Sequence, residues 1–142
     1  MKKNLVSVLS ISLLMIIAAT GCSKKGGGGG NNPPAEAPLA VTLNPATGST
    51  QPPDLGPNFP LTVTITSTMP TQGVKIEVTA IRDDGSGTPA FFSTNVNSST
   101  AANNFSITNT PPGIICLVTV KVTSRSTATN TWTGTYRYSK KP

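Results

Sequence analysis

The residues after position 38 predict an all-β fold, a single seven-stranded antiparallel sandwich, and three observations carry that prediction. Apolar and polar residues alternate with a period of two in one run after another, which is the pattern of strands buried on one face. The runs are short and are separated by clusters of Gly, Pro, Asn and Asp at roughly 8 to 12 residue intervals, the spacing of a small sandwich. No run in this part of the chain has an apolar period of 3.6 residues, so helices are not expected there.

Taken in order, the first strand is predicted where Leu39, Val41 and Leu43 alternate with Ala40 and Thr42, and Pro45 ends it. A Pro/Gly-rich link follows from Ala46 to Asn58. The second is the clearest, with Phe59, Leu61, Val63 and Ile65 on one face and Thr62, Thr64 and Thr66 on the other. In the third, Val74, Ile76, Val78 and Ala80 oppose Lys75, Glu77 and Thr79, before a turn at Asp83-Asp84-Gly85-Ser86-Gly87. A weaker fourth strand runs from Ala90 to Val96, and Phe105 and Ile107 mark a short fifth closed by Pro111-Pro112-Gly113. The sixth spans Ile114 to Thr123, with Cys116, Val118, Val120 and Val122 on one face. The seventh places Trp132, Gly134, Tyr136 and Tyr138 together, opposite Thr131, Thr133, Thr135 and Arg137.

Composition agrees with this reading. The chain is rich in Thr, which suits a pleated, half-exposed surface, and poor in charge and aromatic residues. The formal charge of +6 belongs largely to the ends: Lys2, Lys3, Lys24, Lys25, Lys140 and Lys141 lie outside the strands. Five bases face four acids between residues 39 and 138, so no basic patch is expected and nucleic acid is not an expected partner. Of 142 residues, those left after the leader and tether are enough for one self-sufficient domain.

The N-terminus reads differently. Lys2 and Lys3 precede an apolar run from Leu5 to Ile17 that is too short for a comfortable span. The run Ala19-Thr20-Gly21-Cys22 resembles a lipobox, with Ala19 where Leu is more usual. The resemblance is to bacterial lipoproteins and implies a signal peptide over residues 1–21, removed so that Cys22 becomes the lipid-bearing first residue. An ordinary signal peptide cut near Gly21, or an uncleaved anchor, are the other readings of the same residues. Two or three acyl chains anchor a protein stably, so the membrane is an expected partner through lipid on Cys22. Residues 22–38, with five consecutive glycines from Gly26, two Asn and a Pro-rich end, read as a tether. A flexible chain of that length reaches roughly 20–24 Å. Ser23 after the Cys, by resemblance to lipoprotein sorting in bacteria with two membranes, implies the outer membrane. The poly-Gly tether is similar to those of Bacteroidota lipoproteins, whose surface-export signal is acidic where this chain has Ser23-Lys24-Lys25.

The strand layout, with Pro111-Pro112-Gly113 before a long Val/Thr strand, resembles immunoglobulin-like and fibronectin-III-like domains across residues 39–138, within a domain taken as 39–142. The departures are the missing Cys pair and the missing Tyr two residues before Cys116, where Gly-Ile-Ile-Cys stands. Such sandwiches host unrelated functions, so the architecture does not name one.

Chemistry-bearing groups are few. There is no histidine, the commonest general base and metal ligand. Cys116 lies in an Ile/Leu/Val run and is expected to be a buried free thiol rather than a nucleophile. Asp83 and Asp84 are the only adjacent acids; they are weak candidates for Ca²⁺, without the further acids of a calcium loop, and otherwise a solvated turn. No cofactor, metal or catalytic role is expected. Trp132, Tyr136 and Tyr138 share a strand face, which inward means core packing with the tyrosine hydroxyls at the rim, and outward a platform for sugar rings. The expected function is therefore a lipid-anchored, non-catalytic envelope module, an accessory subunit or adhesin-like protein with an envelope protein partner. The alternative is a glycan-binding lipoprotein of a polysaccharide-uptake system. Fimbrial assembly through cleavage after an Arg finds no site in the tether, since no Arg precedes Arg82.

Overall fold

The computed structural model describes residues 35–142, so the leader, Cys22 and the tether as far as Pro34 lie outside the described residues. The seven predicted strands are present as β1 (Val41–Asn44), β2 (Phe59–Ile65), β3 (Val74–Arg82), β4 (Phe92–Ser98), β5 (Ala102–Ile107), β6 (Ile115–Ser124) and β7 (Thr131–Ser139). All pairings between them are antiparallel, and no helix occurs among the described residues. One sheet has the order β1-β2-β5 and the other β4-β3-β6-β7, the arrangement of an immunoglobulin-like sandwich with three strands facing four.

Alternation explains the core. In β2 the buried residues are Phe59, Leu61, Val63 and Ile65; in β3 they are Val74, Ile76, Val78 and Ala80; in β6 they are Cys116, Val118, Val120, Val122 and the polar Ser124. Register then stacks like on like: Ile76 pairs with Val122, Val78 with Val120 and Ala80 with Val118. Each fully buried Val or Ile contributes roughly 1.5–3 kcal/mol, so β3 and β6 form the energetic centre of their sheet. Lys75, Glu77, Thr119 and Lys121 take the opposite face of the same strands.

Two strands depart from the sequence pattern. Strand β4 lies two residues later than expected and is mostly exposed; it is an edge strand, and of its inward residues Phe92, Thr94 and Ser98 are only half-buried. Strand β5 begins at Ala102, earlier than its first large apolar residue, because its backbone pairs with Val63 and Thr64 whatever its side chains are.

The β1–β2 link crosses between sheets. β1 ends at Asn44, opposite Thr62, and leaves Phe59 and Pro60 without a neighbour on that side. Pro60 has no N–H to give and is tolerated in this position. The link then runs parallel to β7: Gly48 N donates to Thr135 O (2.7 Å), Gln51 N to Arg137 O (2.8 Å), Arg137 N to Ser49 O (2.8 Å) and Asp54 N to Ser139 O (3.1 Å). The outer edge of β7 is covered by this segment.

The end of the expected tether is not free. Glu36 accepts from Ser124 Oγ (2.9 Å) and Asn130 Nδ2 (2.6 Å), Ala37 O accepts from Asn130 Nδ2 (2.9 Å), and Leu39 N donates to Asn130 Oδ1 (2.9 Å). Residues 35–38 are thereby pinned to the β6–β7 turn, although the sequence assigns them to the tether. Side-chain pairing across about 90 residues is what the local Pro-rich composition does not reveal.

Candidate functional site

Two depressions lie at opposite ends of the sandwich, and strand direction fixes which end each occupies. β1 and β7 start beside residues 35–38 and finish at the far end, where β2 and β6 begin. The near end carries a broad, shallow groove between Glu36, Met69, Pro70, Thr127 and Asn130. The far end carries a half-open cleft of about 250 Å³, walled by Pro45, Gln51 to Asp54, Phe59, Pro60, Tyr136 and Tyr138. It exists because β1 leaves its sheet at Asn44 and the link docks on β7, so that neither covers the start of β2.

The aromatic walls are well packed. Tyr138 lies against Phe59 with ring centroids 4.5 Å apart and planes tilted by 50°, and 6.2 Å from Tyr136. The Tyr138 hydroxyl shares a 2.7 Å hydrogen bond with Thr110 Oγ1, and burial pushes the phenol up to about 12 against the partial relief of that bond. The Tyr136 hydroxyl is buried and has no hydrogen-bond partner, and burial pushes its phenol far above the usual value. Of the remaining polar wall groups, Gln51 Nε2 donates to Ser49 Oγ (2.9 Å) and Asp54 Oδ1 accepts from Leu55 N (2.6 Å).

The three aromatics singled out in the sequence do share a face, and that face is the inward one. Tyr136 and Tyr138 are each 2 % exposed, so they form no platform at the surface, and their hydroxyls are buried rather than at the rim. Trp132 is half-buried, and its indole folds over Gly134, where a side chain would collide with it. A flat outward set would need the opposite parity on β7, which places Thr131, Thr133, Thr135 and Arg137 outward instead.

Asp83 and Asp84 do not converge. Asp83 Oδ2 pairs with Arg137 Nε at 2.6 Å, and Asp84 Oδ1 accepts from Ser86 N at 3.0 Å. No group of three His, Cys, Asp or Glu residues able to hold a metal occurs among the described residues. Cys116 is a buried free thiol facing the core, and burial pushes it up to about 11, so it is protonated near neutral pH.

What the sequence reading missed is the contribution of the link. Pro45, Pro52 and Pro53 read as turn residues, but they supply one wall of the cleft. The signal available was the density of Pro beside a strand that itself begins Phe-Pro. Comparison with known proteins adds no family: no protein-family model matches the chain, and no curated protein and no solved structure matches it.

Proposed function

We propose that this chain is made as a bacterial lipoprotein, anchored in the outer membrane through lipid on Cys22, and that its sandwich is a non-catalytic binding module of the cell envelope. The observation that carries the reading is the polarity of the domain. Residues 35–38 enter at one end, pinned through Glu36, and the cleft lies at the other. In a domain tethered by its N-terminus, the cleft is thus at the end opposite the point of attachment. The leader pattern before Cys22 and the poly-Gly stretch after it support the anchor. The protonated thiol and the engaged Asp83 and Asp84 supply no activated nucleophile or acid–base pair among the described residues, which favours binding over catalysis. A glycan platform on Trp132, Tyr136 and Tyr138 finds no support in the burial of the two tyrosines.

The test is to extract the native protein from its envelope in detergent, measure the intact mass of its N-terminus, and identify what co-purifies. A diacylated or triacylated Cys22, with loss of membrane association in Cys22→Ser, is the expected result. An unacylated N-terminus, or a leader still attached, overturns the anchor. A stoichiometric membrane protein in the eluate would make the module an accessory subunit of that complex.

A further inference from the structure

We propose that two copies of this protein join along β4, antiparallel about a twofold axis at Asn95, so that their β4-β3-β6-β7 sheets become one continuous sheet. Such pairing is independent of the lipid anchor, since the strand lies within the folded domain. Two features carry it: the backbone groups that β4 leaves open, and the order of the side chains along the strand.

The ladder between β3 and β6 fixes the direction of the backbone groups in this sheet. The bonds that flank it, Arg125 N to Gly73 O (3.0 Å) and Asp83 N to Ile115 O (2.9 Å), make Val74–Ser124 and Arg82–Cys116 non-hydrogen-bonded pairs. Even-numbered residues of β3 therefore turn their N–H and C=O toward β4, where they meet Phe92, Thr94, Val96 and Ser98. The N–H and C=O of Ser93, Asn95 and Asn97 point the other way, and no partner meets them among the described residues. Open edges invite strand addition, and folded proteins ordinarily guard them with Lys, Pro, a bulge or a cover. The β7 edge has its link, and β1 is four residues long and is followed by Pro45. On β5 the side-chain amides are engaged, Asn103 with Thr100 O and Ala101 O, and Asn104 with Thr62. Strand β4 has seven residues and neither charge nor proline, and its Ser93, Asn95 and Asn97 point outward and exposed.

The order of residues favours a second copy as the occupant. Read outward from Asn95, the strand sets Thr94 against Val96, Ser93 against Asn97 and Phe92 against Ser98. An antiparallel twofold pair makes these same matches. Asn95 faces its counterpart and Ser93 faces Asn97 of the second copy in hydrogen-bonded positions, so each open N–H finds an open C=O. Thr94 and Val96 meet in the closer, non-hydrogen-bonded positions. Val96 lies on the inward side of β4 yet is 41 % exposed, and an added strand would cover it. No like charges are brought together, since Lys75 and Glu77 on the adjoining β3 pair with each other at 2.7 Å. The backbone bonds are open to any extended peptide; the matched side-chain order is the self-complementarity of a twofold interface.

The native protein, extracted in detergent, is sedimented in buffer density-matched to the micelles so that only protein mass counts, with Asn95→Lys and Asn95→Ser in parallel. Asn95 is exposed, so neither substitution touches the core. The expected result is a protein mass that doubles with rising concentration in the unsubstituted chain and in Asn95→Ser. Asn95→Lys should stay monomeric, because two cations would face each other across the axis. Register is read with Thr94→Cys and Val96→Cys, oxidised separately and as a mixture. Opposed positions about 4.5 Å apart suit a disulfide, so a link between residues 94 and 96, located by peptide mass, should form in the mixture and in neither variant alone. Cys116 is buried and serves as the silent background. A monomer at every concentration, a dimer that persists in Asn95→Lys, or links between identical positions in place of the mixed one overturns the proposal. So does a foreign chain that protects the Asn95 amide from hydrogen exchange in place of a second copy. Acylation, read from the intact mass, is a separate outcome. A dimer with a bare N-terminus would sink the anchor and leave the pairing, and an acylated monomer would do the reverse.

Discussion

Tyr136 and Tyr138 stand two positions apart on one strand face, and their hydroxyls have opposite surroundings. Tyr138 meets Thr110, itself buried, whereas Tyr136 meets no protein group. Removing one partner of a buried pair strands the other, at a cost of about 1–3 kcal/mol, while deleting an unpartnered hydroxyl removes a penalty. Tyr138→Phe is therefore expected to lower stability by roughly 1–2 kcal/mol. Tyr136→Phe should leave it unchanged or raise it by up to about 1 kcal/mol. Urea unfolding with equal slopes for the three proteins reads both differences, and a matching loss in the two variants would refute the assignment. Parity along β7 was legible in the sequence and already put both rings on one face. Which hydroxyl finds a partner was not, because Thr110 is 28 residues from Tyr138 and no local rule joins them.

The seventh strand and the link that covers it hold the most information at the level of elements. An unprotected edge invites pairing with other chains, and the β1–β2 link occupies that of β7 through isolated parallel bridges, Thr50 with Arg137 and Asp54 with Lys140. The amides of Gly48, Gln51 and Asp54 should therefore exchange slowly with solvent, in contrast to Gly85 and Gly87 in the exposed β3–β4 loop. Uniformly fast exchange across residues 48–54 would mean that the link is not docked. Gly134 is the second constraint. A β-carbon there would lie 2.8 Å from Trp132 Cζ2 and 3.0 Å from Thr47 Oγ1, so the strand accepts glycine because the indole and the link both lie on it. Gly134→Ala is expected to cost about 1–3 kcal/mol through overpacking. It should also shift the emission of the single Trp to the red as the indole is pushed outward, and an unchanged spectrum with unchanged stability would contradict the packing. The sequence marked Gly134 as sharing the Trp132 face but not as the seat of its ring. The strands buried on one face, β2, β3, β6 and β7, were legible from alternation. The limits of β4 and β5 were not, because an edge strand is under weaker demand to alternate and Ala102-Asn103-Asn104 carries no large apolar side chain.

For the molecule as a whole, the distinctive feature is its two unlike ends, one holding the incoming chain and the other holding the cleft. Two of the hydrogen bonds that dock residues 35–38 are accepted by the Glu36 carboxylate. The hydrogen bond from Ser124 is the main reason its carboxyl lies below the ordinary value of 4.5, with Asn130 adding to the effect. A carboxyl lowered in the folded state contributes stability above its unfolded value, and that contribution is lost as pH falls through the lowered value. Acidification below about pH 4.5 should thus release residues 35–38 while the apolar core, which contains no carboxylate, persists. The backbone amide signal of Leu39, bonded to Asn130, reports the release. In Glu36→Gln that signal should show no such acid step, and a step of undiminished size would place the titrating group elsewhere. Release would lengthen the tether without unfolding the domain.

The amino-acid sequence by itself determined the fold class, the number of strands and the inward face of each well-buried one, because burial on one side of a pleated strand imposes a period of two that local reading detects. It also narrowed the chemistry on offer, since the chain has no histidine and five carboxylates, of which only Asp83 and Asp84 are adjacent. Only the tertiary structure decided where β1 abandons its sheet, that three link prolines and two core tyrosines enclose one cleft, and that Glu36 closes on a turn almost ninety residues away. Those are outcomes of packing between segments distant in the chain, where the energy of each contact depends on partners that no neighbouring residue specifies.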